Sequence, residues 1–156
     1  MSDSEPIIAL ENVYKIFGPN PRGRAFDLCS AGVGKDEVQR QTGHVVGMRD
    51  ISFEVQKGEI FVVMGLSGSG KSTAIRTVNK LHDVTHGRVL VEGIDVQQLR
   101  GAALQAFRRE KTAMVFQHFA LFPHRNVIDN TAYGLKVQGV DKKERHEAAI
   151  EALAMV

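Results

Sequence analysis

The chain has 156 residues, of which 43% are apolar and 24% are charged. These are the proportions of a globular protein long enough to bury a sizeable core. Its net charge of +2 is too small to favour nucleic acid or an anionic membrane surface as a partner. Cys29 is its single cysteine, which excludes an internal disulfide framework and a cysteine-based zinc site.

The first half of the chain predicts strands interrupted by a polar insertion. Alternating apolar residues predict strands over 7–17 and 45–55. Between them lies an inserted segment, about 18–44, in which 35–42 is polar and helix-compatible. The apolar run 59–64 then predicts a buried parallel strand, and 72–81 a helix.

The second half of the chain changes from strand to helix. Patterning predicts a strand over 88–91, a helix over about 99–109, a buried strand over 112–116, and helices over 126–135 and 142–155. This order predicts an α/β fold, a parallel sheet with antiparallel strands at one edge, followed by the start of an α-helical subdomain. We place the core at 1–117 and the helical part at 118–156. No stop signal follows the last helix, so we expect the fold to be incomplete at the C-terminus.

One eight-residue motif points to chemistry. It fits the pattern G-x-x-x-x-G-K-[ST] without a mismatch and consists of Gly65, Leu66, Ser67, Gly68, Ser69, Gly70, Lys71 and Ser72. Glycines allow the backbone to curl so that several N–H groups face one anion, and the following helix directs its positive end at the same place. The alternative is a flexible Gly/Ser turn, but the flanking strand and helix favour a P-loop NTPase core.

The motif assigns roles to two side chains. Lys71 would place a positive charge on the β- and γ-phosphates of ATP, and the hydroxyl of Ser72 would be a ligand of Mg²⁺. ATP and Mg²⁺ are therefore the expected cofactors.

A wider string resembles a known family. GEIFVVMGLSGSGKST at 58–73 and MVFQHFALFPHRNVIDN at 114–130 are similar to the ATP-binding subunits of ABC transporters. YKIFG at 14–18, the end of the insertion, QTGHVVGMRD, and QHFALFPHR resemble the glycine betaine/proline betaine importers among them. The resemblance covers 7–156. Ala74 departs from it, because the family more often has Leu there.

The resemblance implies further site residues. It extends the ATP-binding set to Thr73, and it makes Gln117 the Q-loop glutamine, a catalytic residue that contacts Mg²⁺ or the attacking water. The alternative for Gln117 is a surface glutamine after a strand. Phe17 matches the aromatic residue that stacks on adenine. Phe17 could instead cap the first strand, and Tyr14 competes for the stacking role.

The resemblance also implies partners and a location. It predicts a membrane-spanning permease subunit that contacts the loop after Gln117, a second ATP-binding subunit in a homodimer, and an extracytoplasmic solute-binding protein that acts indirectly. The chain would lie on the cytoplasmic face of the plasma membrane, without nucleic acid.

Three hypotheses about function remain at this stage. The sequence contains no L-S-G-G-Q signature, no strand that ends in adjacent Asp and Glu, and no switch histidine after such a strand. The chain is thus expected to be the N-terminal part of an importer ATPase, and a compatible second hypothesis is that the chain by itself is a nucleotide-binding fragment without turnover. Another P-loop enzyme, such as a GTPase or a small-molecule kinase, is disfavoured because no N-K-x-D occurs.

Overall fold

The computed structural model describes residues 5–116 and 121–156. Two compact units make up the chain, and the boundary between them lies between Leu99 and Arg100. The subdomain boundary predicted at 117/118 falls at residues outside the described ranges, so it stays a prediction. Within those ranges, no helix is both long and apolar enough to cross a membrane.

A four-stranded antiparallel sheet forms the centre of the first unit. Its strands are β1 (Ile8–Phe17), β2 (Val45–Val55), β3 (His86–Val91) and β4 (Ile94–Asp95). Their spatial order is β2-β1-β3-β4, and each neighbouring pair is antiparallel. The structure confirms the strands predicted at 7–17, 45–55 and 88–91, and they form the antiparallel part that the fold class requires.

A bulge divides the pair formed by β1 and β2. Asn12 and Asp50 have φ angles of 45° and 47°, a conformation that Asn and Asp tolerate better than other side chains. The amide of Asn12 donates to Oδ1 of Asp50 at 3.0 Å, and its backbone N–H donates to Oγ of Ser52 at 2.9 Å. The ladder resumes at Val13, so the end of β1 that carries Phe17 lies beyond the bulge.

The inserted segment is a pair of helices packed on the sheet. They are α1 (Arg24–Ser30) and α2 (Lys35–Thr42), and α2 confirms the helix predicted at 35–42. Four buried side chains form the core beneath them: Ile16, Ala25, Cys29 and Val38. Because Ile16 belongs to β1, this core attaches the insertion to the end of that strand.

His44 holds the two ends of the insertion together. Its ring nitrogens lie 2.8 Å from the carbonyl oxygen of Thr42 and 2.5 Å from that of Pro19. The ring also fills the space beside Gly18, where a Cβ would lie 2.4 Å from it. The start and the end of the insertion are therefore adjacent, and β1 continues into β2 with the helices as a side branch.

Two segments predicted as buried parallel strands are not strands in this structure. Residues 59–64 and 112–116 form no regular element, and Ile60, Met64 and Val115 are 90%, 85% and 97% exposed. A strand is stable when neighbouring strands pair with its backbone N–H and C=O groups. Among the described residues no strand pairs with either segment. Phe61 contacts the sheet, because its ring stacks on Phe53 with centroids 4.7 Å apart.

Helix α3 (Lys71–Val78) follows the glycine motif and corresponds to the helix predicted at 72–81. Its C-terminal end is fixed by a buried polar network. Nζ of Lys80 donates to the carbonyl oxygen of Gln97 at 2.6 Å. The Gln97 side chain accepts from the backbone N–H of Val84 at 3.1 Å and donates to the carbonyl of Thr77. Gln97 belongs to a 3₁₀ turn, Val96–Gln98, that follows β4.

The second unit is helical. It contains α4 (Gly101–Glu110), α5 (Val127–Thr131), α6 (Tyr133–Val137) and α7 (Lys142–Ala154), and α7 packs against α5 and α6. α4 and α7 confirm the helices predicted near 99–109 and 142–155. The helix predicted at 126–135 is instead two short helices separated by Ala132, whose ψ of −4° tightens the turn. Gly134, two residues later, has a low helix propensity and also weakens a continuous helix.

Candidate functional site

The glycine motif forms a tight loop that ends in α3. Gly65, Gly68 and Gly70 have φ angles of 155°, 78° and 94°, values that strain any residue with a Cβ. The backbone N–H of Ser69 donates to the carbonyl oxygen of Leu66 at 3.2 Å and closes a turn within the loop. The sequence places glycine at each position where the backbone needs this freedom, so the loop follows from local residue chemistry.

Lys71, the first residue of α3, folds its side chain back over this loop. Its ammonium donates to the carbonyl oxygens of Gly65 and Leu66, each at 2.7 Å, and to Oγ of Ser69 at 3.3 Å. An ammonium has three N–H donors, and these three acceptors match them. The positive charge therefore lies within the curl of the loop. The bond to Ser69 is the longest and the easiest to exchange for an anionic oxygen.

Gly70 anchors the loop to the sheet. A Cβ at Gly70 would lie 2.3 Å from the carbonyl oxygen of Gly47, on β2. The start of α3 can therefore lie this close to the strand only because Gly70 has no side chain. Ala74, one turn further along α3, is buried, so a small residue at this position fits the same close approach.

The other motif residues differ in exposure. Leu66, Ser67 and Ser72 are exposed, and Thr73, the residue after the motif, is half-buried. The hydroxyl of Ser72 is accessible to a cation bound beside the loop. The described residues contain no group of three or more His, Cys, Asp or Glu side chains arranged for a metal ion. Among the described residues, Ser72 would hold a magnesium ion here, together with oxygens of the bound phosphates.

Phe17 lies at the end of β1, and Gly47 of β2 lies between its ring and the glycine loop. A Cβ on Gly47 would lie 2.6 Å from the Phe17 ring, so this ring packs directly on the residue that Gly70 also approaches. His82 meets the ring edge to face at a centroid distance of 5.4 Å. The ammonium of Lys15 lies 4.8 Å from its centroid.

The groups around Phe17 have perturbed protonation equilibria. Burial lowers the pKa of His82, and the nearby charges of Lys15 and Arg76 lower it further. Burial also lowers the pKa of Lys15, against an opposing effect of Asp83. The lowered pKa of His82 favours the neutral imidazole beside the aromatic ring.

A cleft of about 640 Å³ lies beside the loop, within the first unit. Loop residues 68–71 form one wall, and β2 residues such as Met48 and Phe53 form another. Lys35 and Arg49 also line it, whereas Phe17 is not among the described residues that do. The sequence did not predict that Lys35 or Arg49 lines the cleft. A polar helix and an alternating strand have the same sequence pattern whether or not they face a cleft.

Residues 122–126 form a loop that the side chain of Asn130 organises. Gln117 itself lies outside the described residues, so its predicted role stays a prediction. Beyond it, Asn130 accepts from the backbone N–H of Phe122 at 2.8 Å and donates to three carbonyl oxygens in the loop, between 3.0 and 3.2 Å away. The guanidinium of Arg125 lies 4.8 Å from the ring centroids of Phe122 and Tyr133. Asn130 thus organises 122–126, and the neighbouring Leu121 is exposed.

Comparison with known proteins decides the family. The ABC transporter family model matches residues 48–156. The chain belongs to the ABC transporter family. The glycine betaine/proline betaine transport system ATP-binding protein ProV of Escherichia coli is 47% identical over 149 residues. The glycine betaine transport ATP-binding protein OpuAA of Bacillus subtilis is 47% identical over 155 residues.

The length of these ABC transporter proteins differs from that of the chain. The matches cover 96% of the chain with ProV and 99% with OpuAA, but 37% of each relative. The trimethylamine N-oxide transport system ATP-binding protein TmoW of Ruegeria pomeroyi is 43% identical over 97% of the chain and 44% of its own length. The chain therefore spans less than half the length of these curated relatives.

Solved structures give the same family and fold. A dimeric post-hydrolysis state of the ATP-binding cassette MJ0796, bound to ADP and Pi, matches with a TM-score of 0.75 and 26% identity. The match covers 95% of the chain and 56% of the cassette chain. This similarity confirms the predicted fold class, an α/β P-loop NTPase of the ABC cassette type, although 59–64 and 112–116 are not strands here.

Proposed function

We propose that the chain is the nucleotide-binding part of an ATP-binding subunit that energises import of a betaine-like compatible solute by ATP hydrolysis. The observation that carries this proposal is the Lys71 ammonium inside the curl of the loop, 2.7 Å from the carbonyl oxygens of Gly65 and Leu66. A fixed cation at the start of a helix, beside a cleft, is the arrangement that binds a polyphosphate.

ATP supplies the phosphoryl group whose transfer to water drives transport. In this proposal the ammonium of Lys71 neutralises the β- and γ-phosphates, and the loop and the start of α3 fix the phosphate chain. The hydroxyl of Ser72 would bind Mg²⁺, Thr73 would belong to the same ATP-binding set, and Phe17 would stack on adenine. Gln117 would contact Mg²⁺ or the attacking water. Positioning and charge stabilisation provide most of the catalysis of phosphoryl transfer.

Binding of Mg-ATP to the purified chain tests the proposal directly. Titration calorimetry of the wild type should detect binding, and Lys71→Ala should abolish it. Lys57→Ala is a matched control, because Lys57 is exposed in the turn after β2 and does not line the cleft. Equal affinities of the wild type and Lys71→Ala would refute the role of this lysine.

The transported solute is proposed from the relatives' names. ProV and OpuAA are named for glycine betaine transport, and TmoW for trimethylamine N-oxide. All of these solutes carry a methylated nitrogen. Deletion of the gene in its host should therefore impair uptake of labelled glycine betaine during osmotic stress. Unchanged betaine uptake together with lost uptake of another solute would redirect the assignment.

We place the partners around two surfaces. The permease subunit contacts the loop after Gln117; within the described part of that region Asn130 bonds to the backbone of Phe122 and Leu121 is exposed. A second copy of the subunit pairs with the first, as in the dimeric MJ0796 cassette, and an extracytoplasmic solute-binding protein acts only through the permease. This arrangement places the subunit on the cytoplasmic face of the membrane. Crosslinking from a cysteine introduced at Leu121 to the permease tests the first contact.

The sequence also favours a second function for the chain by itself, which is nucleotide binding without turnover. It contains neither the L-S-G-G-Q signature nor a strand that ends in Asp-Glu, and ATP hydrolysis needs a group that positions or activates the attacking water. We therefore expect no phosphate release above background from the purified chain. Phosphate release that disappears in Lys71→Ala would contradict this second function.

A further inference from the structure

The cleft beside the glycine loop contains more positive charge than the motif supplies. Besides Lys71, it is lined by Lys35, the first residue of α2, and by Arg49 on β2. Among the described residues that line it, none is Asp or Glu. Three cations without a carboxylate create a positive potential that a concave, partly apolar wall strengthens. Such a cleft is complementary to a polyanion.

The two additional cations have different surroundings. Arg49 is half-buried, and its guanidinium donates a hydrogen bond to the carbonyl oxygen of Val33. Val33 lies in the connection between α1 and α2, two residues before Lys35. Lys35 is exposed, and its ammonium has no hydrogen bond or ion pair to any residue in the described part of the chain. Arg49 therefore fixes the backbone from which Lys35 extends, and the Lys35 ammonium keeps its donors for a ligand.

The insertion is firmly attached to the strand that leads to the site. Its buried core includes Ile16, the residue before Phe17, together with Cys29 and Val38. A charge on α2 is therefore held at a defined place relative to β1 and β2. A flexible surface loop would offer no such geometry, because the entropy of ordering a long side chain and its backbone would offset the gain on binding.

We infer that Lys35, from the inserted helix, is a further nucleotide-binding residue that contacts the phosphate chain, with Arg49 as its positioning residue. This assignment rests on the proposed binding of nucleotide in the same cleft. It makes the insertion a part of the binding site.

Mg-ATP titrations of three variants of the chain test the assignment. Lys35→Ala should weaken Mg-ATP binding about three- to tenfold, the range for one partly solvated charge-assisted contact. Lys35→Arg should restore most of the affinity, because it keeps the charge. Lys57→Ala should bind like the wild type. Because salt screens exposed charges, the affinity of Lys35→Ala should also depend less steeply on salt than that of the wild type.

A double-mutant cycle separates positioning from direct contact. If Arg49 acts through Lys35, Arg49→Met should weaken binding in the wild type but have little further effect in Lys35→Ala. Additive losses would overturn the positioning role of Arg49.

The outcomes for Lys71 and Lys35 are distinguishable. If Lys71→Ala abolishes binding while Lys35→Ala binds like the wild type with the same salt dependence, the role of Lys35 is wrong and the proposed function stands. If Lys71→Ala binds like the wild type, the proposed function fails first. Absence of measurable binding by the wild type at millimolar Mg-ATP would overturn both.

Discussion

Two glycines in one loop provide a matched test of how the site is built. Gly68 and Gly70 both have positive φ angles, 78° and 94°. A Cβ at Gly68 would meet no atom within 4 Å, whereas a Cβ at Gly70 would lie 2.3 Å from the carbonyl oxygen of Gly47. Alanine at either position carries the same backbone strain, but only alanine at Gly70 pushes α3 away from β2.

The magnitudes follow from these two effects. Alanine in a left-handed conformation costs about 1–2 kcal/mol, and we expect this loss of unfolding free energy for Gly68→Ala. An added methyl group that forces backbone to move costs about 1–3 kcal/mol more. Gly70→Ala should therefore lose about 2–5 kcal/mol in total, a large share of the roughly 5–15 kcal/mol typical of a folded domain.

Urea unfolding followed by circular dichroism measures the difference. With slopes of about 1–3 kcal/mol per molar urea, the additional cost at Gly70 should lower the midpoint by roughly 1 M relative to Gly68→Ala. The affinity of Gly70→Ala for Mg-ATP should also fall, because the start of α3 moves. If the two variants unfold with free energies within about 0.5 kcal/mol of each other, the close contact with Gly47 does not anchor the loop.

Three further predictions concern the ligand and pH. Phe17→Ala should weaken Mg-ATP binding by the roughly 1–3 kcal/mol of one stacked base, whereas Phe17→Tyr should not; equal calorimetric losses for both would exclude stacking. Ser72→Ala should weaken ATP binding with Mg²⁺ present but not in EDTA, and a loss independent of Mg²⁺ would refute its role as a metal ligand. Burial and the nearby charges of Lys15 and Arg76 lower the pKa of His82 below 6.5 in the folded chain. Between this lowered pKa and pH 6.5 the unfolded chain therefore binds more protons than the folded chain. The free energy of unfolding should thus decrease as the pH falls from 6.5 towards the lowered pKa. Urea titrations of His82→Asn should show a smaller fall across that window, and an unchanged pH profile would contradict the shift.

Local chemistry explains which parts of the structure the sequence predicts. The glycine loop is recognisable because Gly65, Gly68 and Gly70 each occupy a backbone conformation that other residues adopt only with strain. Strands β1 and β2 are recognisable because their alternation matches a sheet with one buried face. These signals depend on a few neighbouring residues, so the loop and the strands can be predicted without knowledge of the rest of the fold.

Burial, in contrast, depends on what lies next to a segment. The apolar run at 59–64 predicts a buried strand, yet Ile60 and Met64 are largely exposed, because no strand among the described residues pairs with this segment. The sequence pattern likewise does not predict that Lys35 and Arg49 line the cleft. They arise from the packing of the insertion on β1 and β2, and no local pattern encodes that tertiary contact.

Two adjacent residues of β1 show how the insertion and the loop are connected. Side chains alternate along a strand, and Ile16 is buried in the core of the insertion while the next residue, Phe17, packs on Gly47. Gly47 is in turn the residue that Gly70 approaches. A displacement of α1 and α2 would therefore move Ile16, then Phe17, and finally the strand against which the start of α3 lies. A chain of packing contacts thus connects the insertion to Phe17, the proposed adenine-stacking residue, and to the glycine loop. In the sequence, the insertion lies between these two parts of the site.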